Sequence, residues 1–508
     1  MTRAAAAGAL SALPLGVLSS EALAAGPKRG GHFRMAASQG STTDVLDTTK
    51  LTSGFTQMLF FTHLTQLTEI DVDGNVQPAL ASGYETNDDA TEWIFDLRKG
   101  VEFHNGKSLD ADDVMMSIAR HQGENSESPT KAIAEEIAEM RKDGKHRVIF
   151  KLKSGNVDFP FSMSASTFGI HPVVNGEVDV KGAGTGAYKL TEFEPGIGAK
   201  LERFENYFDS ERGFFDSVDV AVVHDSTARQ SALQTGEVDF IGGVKPQVAD
   251  LMAGLSGVNV AEVTGMQHYL YAMNTTTAPF DNNDVRLALK YAMDREAILK
   301  LVLQGHGSLG NDNPISPNDR FFASDIPQRA YDPDKSKFHL KKAGLSELKV
   351  ELSATNGLFE GALDSAVLFQ EHAKAAGIDI VPKNVPSDGY WSDVWMKHPW
   401  AASYWSGRPT ADWMFSQGYS DESSWNETYW KNPRFNELLK SARAEQDVAK
   451  RKDMYNEMQH LVHDDGGALI FLYANHISAY GDHVAPPAKI AGNWELDGYK
   501  IMERWSFA

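Results

Sequence analysis

The chain of 508 residues contains no cysteine. Disulfides, thiolate metal sites and cysteine nucleophiles are excluded together, and so is a lipid anchor on a lipobox cysteine. Positive charge is scarce: 48 Lys and Arg against 69 Asp and Glu leave a net charge of −21. Such a surface repels nucleic acid and anionic membranes, so no nucleic-acid partner is expected. After residue 25 no apolar run is long enough to span a bilayer. G-x-S-x-G, H-E-x-x-H and P-loop motifs are missing as well. No catalytic residue is assigned, and no cofactor is expected.

What is present begins with an address. Residues 1–25 hold Arg3 near the start, an apolar middle and Ala22-Leu23-Ala24 at the end, the layout of a secretory signal. The competing reading, a buried Ala-rich helix, is weakened by Pro14 and Glu21. The mature protein is therefore expected in the periplasm, without a lipid anchor. The rest alternates strand-like and helix-like segments. Thr91–Leu97 alternates polar and apolar residues as a half-buried strand does. Asp110, Asp112 and Asp113 mark the start of a helix running to about Arg120. Val285–Leu303 has the spacing of one amphipathic helix, and Phe435–Val462 reads as mostly helical. Alternation of this kind predicts an α/β fold. The length suggests two or three folded units, and no low-complexity tether separates them.

Several motifs carry less than their pattern suggests. Gly305-His306-Gly307-Ser308-Leu309-Gly310 matches G-x-G-x-x-G but follows a helix, so it predicts a loop and not a dinucleotide site. His460 and His463 precede Asp464 and Asp465 at the end of an amphipathic helix, which reads as a solvated terminus; no metal is assigned. Asp71–Asn75 resembles half a calcium loop without its distal Glu and predicts a hairpin turn.

One anomaly stands out. Seven of the 10 tryptophans (Trp391, Trp395, Trp400, Trp405, Trp413, Trp425 and Trp430) fall within 40 residues, with Tyr390, Tyr404, Tyr419 and Tyr429 among them. Aromatics this dense make either a bulky core or a stacking surface for a ligand. Inside the cluster, Ser406-Gly407-Arg408-Pro409 follows a short strand ending at Trp405. In α/β proteins ligands gather at the carboxyl ends of strands. An Arg in an aromatic pocket needs an anion or an aromatic stack. That anion is a ligand carboxylate or, alternatively, Asp412 four residues on.

Further motifs span the mature chain. Gln77-Pro78-Ala79-Leu80-Ala81 and Gly100-Val101-Glu102-Phe103-His104-Asn105-Gly106-Lys107-Ser108-Leu109-Asp110-Ala111-Asp112-Asp113-Val114 are two of them. Others are Gly184-Thr185-Gly186-Ala187-Tyr188, Ala232-Leu233-Gln234-Thr235-Gly236-Glu237-Val238-Asp239, and Tyr331-Asp332-Pro333 leading to Lys342-Ala343-Gly344. Together the chain resembles the solute-binding proteins of peptide/opine/nickel ABC importers, the extracellular solute-binding protein family 5. The resemblance implies a two-lobed periplasmic-binding-protein fold of type II, in the large three-subdomain cluster, with a double hinge crossing.

Lobe one is expected over 26–270, with an inserted subdomain at roughly 60–175. Lobe two follows over 271–477, and 478–508 return to lobe one. The crossings are expected near His268–Asn274 and Tyr473–Ser478. The resemblance also implies a monomer that traps a small molecule between its lobes and docks, closed, on a membrane permease. His104 belongs to a family block and is expected to be structural.

Peptide-binding members of that family place an Asp in a W-x-x-D element, where it holds the ligand's α-amino group. Trp405 keeps its place here, but Arg408 stands where that Asp would be. An Arg attracts a carboxylate. The expected solute therefore bears an acidic group: an opine-like or acylated amino acid, a sugar acid, or a peptide held the other way round. An ordinary di- or oligopeptide binder and a periplasmic hydrolase on the same scaffold are the alternatives. Candidate ligand-binding residues are Arg408, Trp405, Tyr390, Trp391, Trp395, Ser406, Gly407, Trp425 and Asn426.

Overall fold

The computed structural model describes residues 26–51, 53–356, 358–359 and 361–508. The signal segment expected over 1–25 lies outside the described residues. Strand His32–Ala37 shows how one sheet is built. Phe33 and Met35 alternate into the core, and the strand pairs in parallel with Ser217–Val222 and Phe240–Ile241. Being covered on both faces, it reads as a nearly continuous apolar run. It sits centrally in a seven-stranded sheet that also holds Tyr188–Glu194, Gly198–Arg203, His476–Gly481 and Val258–Val263. A second sheet has six strands in the order 307–309, 468–474, 268–273, 400–405, 348–354 and 378–384. Its central strand, His268–Met273, is buried at every position. Between helix Gly54–His63 and strand Tyr188–Glu194 the chain inserts a four-stranded sheet, Ala81–Thr86, Glu92–Leu97, Arg147–Leu152 and Ile137–Lys142, with its own core.

The chain passes between the two large sheets twice. Strand Val258–Val263 ends in the first sheet and His268 opens the central strand of the second. The outward crossing is thus 264–267, a few residues before the position expected from sequence, because 268–273 is already sheet. The return is a single residue, Asn475, between Ala474 and His476.

Two long helices predicted from periodicity are each broken by an aspartate. Val285–Leu303 divides into Asn283–Tyr291 and Arg295–Val302, because the Asp294 side chain accepts from the Ala297 N–H and starts a new helix. Asp447 does the same between Pro433–Ala444 and Val448–Asp465. Asp110 caps Ala111–Ala119 as expected, accepting from the Asp112 and Asp113 N–H groups. At Gly184 and Gly186 the chain runs against the end of helix Gly54–His63: a Cβ would meet the His63 carbonyl at 1.8 Å and the Thr62 carbonyl at 2.2 Å. His104 clamps this turn, its Nδ1 accepting from Gly184 N–H at 3.2 Å and its Nε2 lying 2.9 Å from the Gly186 carbonyl. Burial pushes its imidazole down to about 4, so it is neutral and structural.

The C-terminal segment is tied to the first lobe by charge. Lys500 Nζ donates to Glu69 at 2.5 Å, Arg212 pairs with the same carboxylate, and Glu503 pairs with Arg212 at 3.1 Å. Burial alone would raise the Glu69 carboxyl, but the Lys500 and Arg212 charges overcome it and hold it well below the usual carboxylate range. A depressed carboxyl contributes stability at neutral pH that is lost as pH falls through the acid range. Glu69→Gln is therefore expected to lower the unfolding free energy by about 2–4 kcal/mol near neutral pH. Denaturant unfolding should show the deficit narrowing as both proteins are taken toward about pH 3.

Candidate functional site

Strand Trp400–Trp405 carries the site to the hinge. It pairs antiparallel with His268–Met273 in a register that sets Trp405 opposite His268 and Trp400 opposite Met273. His268 also pairs with Tyr473, next to the returning crossing. The strand's carboxyl end, and the Ser406-Gly407-Arg408 turn after it, therefore lie where the two lobes join. The period of two divides its side chains: Trp400 and Ala402 pack with Phe369, whereas Trp405 packs with Phe415.

A cavity of about 370 Å³ opens beside this turn, lined by Trp391, Trp395, Ser403, Tyr404, Trp405, Ser406, Arg408 and Trp425. A wide turn closed by Trp395 N–H to the Tyr390 carbonyl, at 2.9 Å, projects Trp391 and Trp395. The rings meet edge to face: Trp391 and Trp395 at 5.6 Å and 78°, Trp395 and Trp425 at 6.2 Å and 88°, Trp405 and Trp425 at 6.0 Å and 61°. Trp391 is 48% exposed and Trp425 46%, so both rings are open to the cavity. A second cavity of about 350 Å³ shares Tyr404 and Ser406 with the first. Its far wall is the first lobe: Gln39, Gln57, Trp494, Glu495 and Tyr499.

Arg408 is held by neutral acceptors. Its Nε donates to Gln417 Oε1 at 2.6 Å, and its Nη1 to the Ser406 and Gly407 carbonyls at 3.0 and 3.3 Å. Gln417 is placed by helix Ala411–Gly418, which Thr410 caps. The guanidinium stacks over Trp405, 5.2 Å from the ring centre. Among the described residues no carboxylate pairs with it, and its Nη2 has no acceptor. Burial pushes Arg408 down to about 10. Asp412, the partner weighed from sequence, bonds instead to Arg443 at 3.3 Å. His268 lies close by; burial and then the Arg408 charge hold it down to about 3, so it is neutral.

Gly407 lies against the backbone of the other lobe. A Cβ there would lie 2.7 Å from the Asn493 carbonyl of lobe one and 2.6 Å from Met266 Cβ in the crossing. Only a residue without a side chain fits.

The structure gathers Arg408, Trp405, Trp391, Trp395, Ser406 and Trp425 around the first cavity and sets Gly407 in the second. Two expected residues are elsewhere. Tyr390 is buried, its hydroxyl donating to the Ala402 carbonyl at 2.7 Å. Asn426 is also buried, and its Nδ2 spans the Ser420 and Trp430 carbonyls at 3.2 and 2.7 Å, pinning the loop that carries Trp425. The histidines weighed for metal are paired within the protein: His460 with Asp325 and His463 with Asp464.

Sequence reasoning missed Glu427. It is buried behind the cavity and accepts the Trp405 indole N–H at 2.6 Å and that of Trp395 at 2.5 Å. Burial raises its carboxyl, opposed by the hydrogen bonds of Ser403, Trp405 and Trp395. Nothing in the local sequence marks it, because its partners stand 22 and 32 residues away. The wall from lobe one was equally hidden.

Residues 75–427 match the bacterial extracellular solute-binding proteins, family 5 Middle. The dipeptide-binding protein of Escherichia coli K12 is 26% identical over 441 residues, 78% of this chain and 81% of that protein. Heme-binding protein A of Haemophilus influenzae is 31% identical over 299 residues; the match spans 53% of this chain and about half, 54%, of that protein. In three dimensions the chain is similar to AgaA of A. tumefaciens in complex with agropinic acid, with a TM-score of 0.78 and 22% identity over 94% of this chain and 99% of AgaA. That likeness shows a shared two-lobed fold. Matched over most of its length, with the cleft between its lobes, this chain belongs to the bacterial extracellular solute-binding proteins of family 5.

Proposed function

We propose that this protein captures a small carboxylate-bearing solute in the interlobe cleft and delivers it, with the lobes closed, to an ABC import permease at the membrane. It does so as a secreted, monomeric periplasmic protein. One observation carries the reading on the solute: Arg408 stands at the cavity with neutral partners on one edge and a free Nη2. An uncompensated, partly desolvated guanidinium costs several kcal/mol, and a ligand carboxylate relieves that cost with charge-assisted hydrogen bonds. The aromatic walls supply apolar area for the remainder of the solute. Opine-like or acylated amino acids, sugar acids, and peptides bound through their C-terminal carboxylate all fit this chemistry. The relatives named for dipeptides and the neighbour holding agropinic acid are in keeping with it.

Native mass spectrometry of the freshly purified protein identifies any co-purified solute. Calorimetry with that solute is then expected to show Arg408→Ala weakening binding by about 2–5 kcal/mol. Unchanged affinity would remove Arg408 from the site. Prolonged incubation is expected to return the solute intact; a cleaved product would favour the hydrolase alternative.

Closure has its own test. Gly407→Ala is expected to lower the melting transition and to reduce the ligand-induced compaction seen by small-angle scattering, because the added methyl meets the Asn493 carbonyl and Met266 Cβ. Undiminished compaction would show that position 407 does not limit closure.

A further inference from the structure

Two ionisable side chains of opposite type stand at one aromatic cavity, Arg408 in its wall and Glu427 buried behind it, and neither has an ion-pair partner among the described residues. Arg408 is the positive one. Glu427 is the negative one: its two oxygens accept one indole N–H each, and no Lys, Arg or His pairs with it. The two do not neutralise each other, since no ion pair joins them. Elsewhere the fold pairs buried carboxylates with cations. Asp312 lies between Arg295 at 2.8 Å and Arg329 at 3.3 Å, and Asp158 pairs with Arg451 and Arg320. Arg408 and Glu427 both depart from that practice.

The walls between these charges have a particular chemistry. Trp395 and Trp405 donate to Glu427 through N–H groups that lie in the ring plane, so this bond occupies no ring face; Arg408 stacks on Trp405, and the Trp395 ring lines the cavity. Hydrogen bonding to a carboxylate also draws electron density onto those faces and makes them more attractive to a cation. The near-perpendicular rings present faces from several directions. Apart from Arg408, the polar groups lining the cavity are serine and tyrosine hydroxyls and indole N–H groups; no carboxylate lines it among the described residues. A primary ammonium needs three acceptors for its protons and would meet only neutral hydroxyls here, with no carboxylate to offset its charge. An ammonium whose protons are replaced by alkyl groups needs few or none, and is the cation that aromatic boxes hold well.

We propose that the solute is a zwitterion with an alkylated ammonium at one end and a carboxylate at the other: the carboxylate pairs with Arg408 while the N-alkyl groups fill the box of Trp391, Trp395, Trp425 and Tyr404. This rests on the carboxylate reading above and narrows it to betaine-type and N-alkylated amino acids. Glu427 serves as a positioning residue that orients two indoles and supplies a distant negative charge without touching the ligand.

The test uses the full mature protein and calorimetry with a homologous series of trimethylammonio carboxylates. Each is paired with its carbon isostere, in which a tert-butyl group replaces the trimethylammonium. The charged member of the best-fitting pair is expected to bind about tenfold tighter than its isostere, or more. Arg408→Ala should weaken both members and leave their ratio in place. Trp391→Leu, at a half-exposed position that the core does not need, and Glu427→Gln should bring the ratio toward unity; the first variant keeps the test valid should the second unfold. An isostere that binds as well as the cation overturns the zwitterion and leaves the carboxylate reading standing. Equal affinity of both members for the parent and for Arg408→Ala overturns the carboxylate reading itself. Failure of every member of both series to bind overturns the zwitterion.

Discussion

The register of one strand governs the molecule's use. Trp405 is held opposite His268, and His268 opposite Tyr473, by ladder hydrogen bonds at the end of the second sheet where the chain crosses to the first. A shift of one residue would turn every side chain of Trp400–Trp405 to the other face, burying Trp405 among the packing of Trp400 and losing the turn from the cleft. With the register fixed, Arg408 is presented at the hinge, and whatever it binds is enclosed by the same motion that brings the lobes together. Enclosure removes water, and removal of water strengthens the attraction between a guanidinium and an anion.

Buried charge in this protein falls into two kinds. Glu69, Asp312 and Asp158 each meet two cations and hold elements in place. Arg229 meets no carboxylate but donates to four carbonyls, those of Val223, His224, Gly242 and Gly243. Arg408 and Glu427 match neither pattern fully. A side chain left short of partners costs stability; in the proposed function a complementary solute offsets that cost. The contrast within one structure is what singles out Arg408 as the candidate binding charge.

Much of the architecture was legible in sequence because it is written locally. Asp110 precedes its helix by one residue, and the glycines at 184 and 186 mark a backbone that passes close to another. The division of Val285–Leu303 was also local, in Asp294, but apolar spacing continued across it and hid the cap. The candidate site was half legible. Dense tryptophan and an Arg after a strand pointed to a segment whose side chains the fold gathers around one cavity, since most of that lining is contiguous in sequence. Tyr390 and Asn426 shared that segment yet turned inward, because a short turn and a loop give no periodicity from which to assign a face. Glu427 and the wall formed by Gln39, Trp494 and Glu495 are brought near Trp405 only by folding.

The glycine beside the arginine divides labour within three residues. In the proposed function recognition rests on a side chain at 408, while a Cβ at 407 would press on the other lobe. A relative could exchange its cargo by changing the first position while its shutting motion stayed intact. The turn is thus a socket in which specificity is interchangeable and the mechanical part is not.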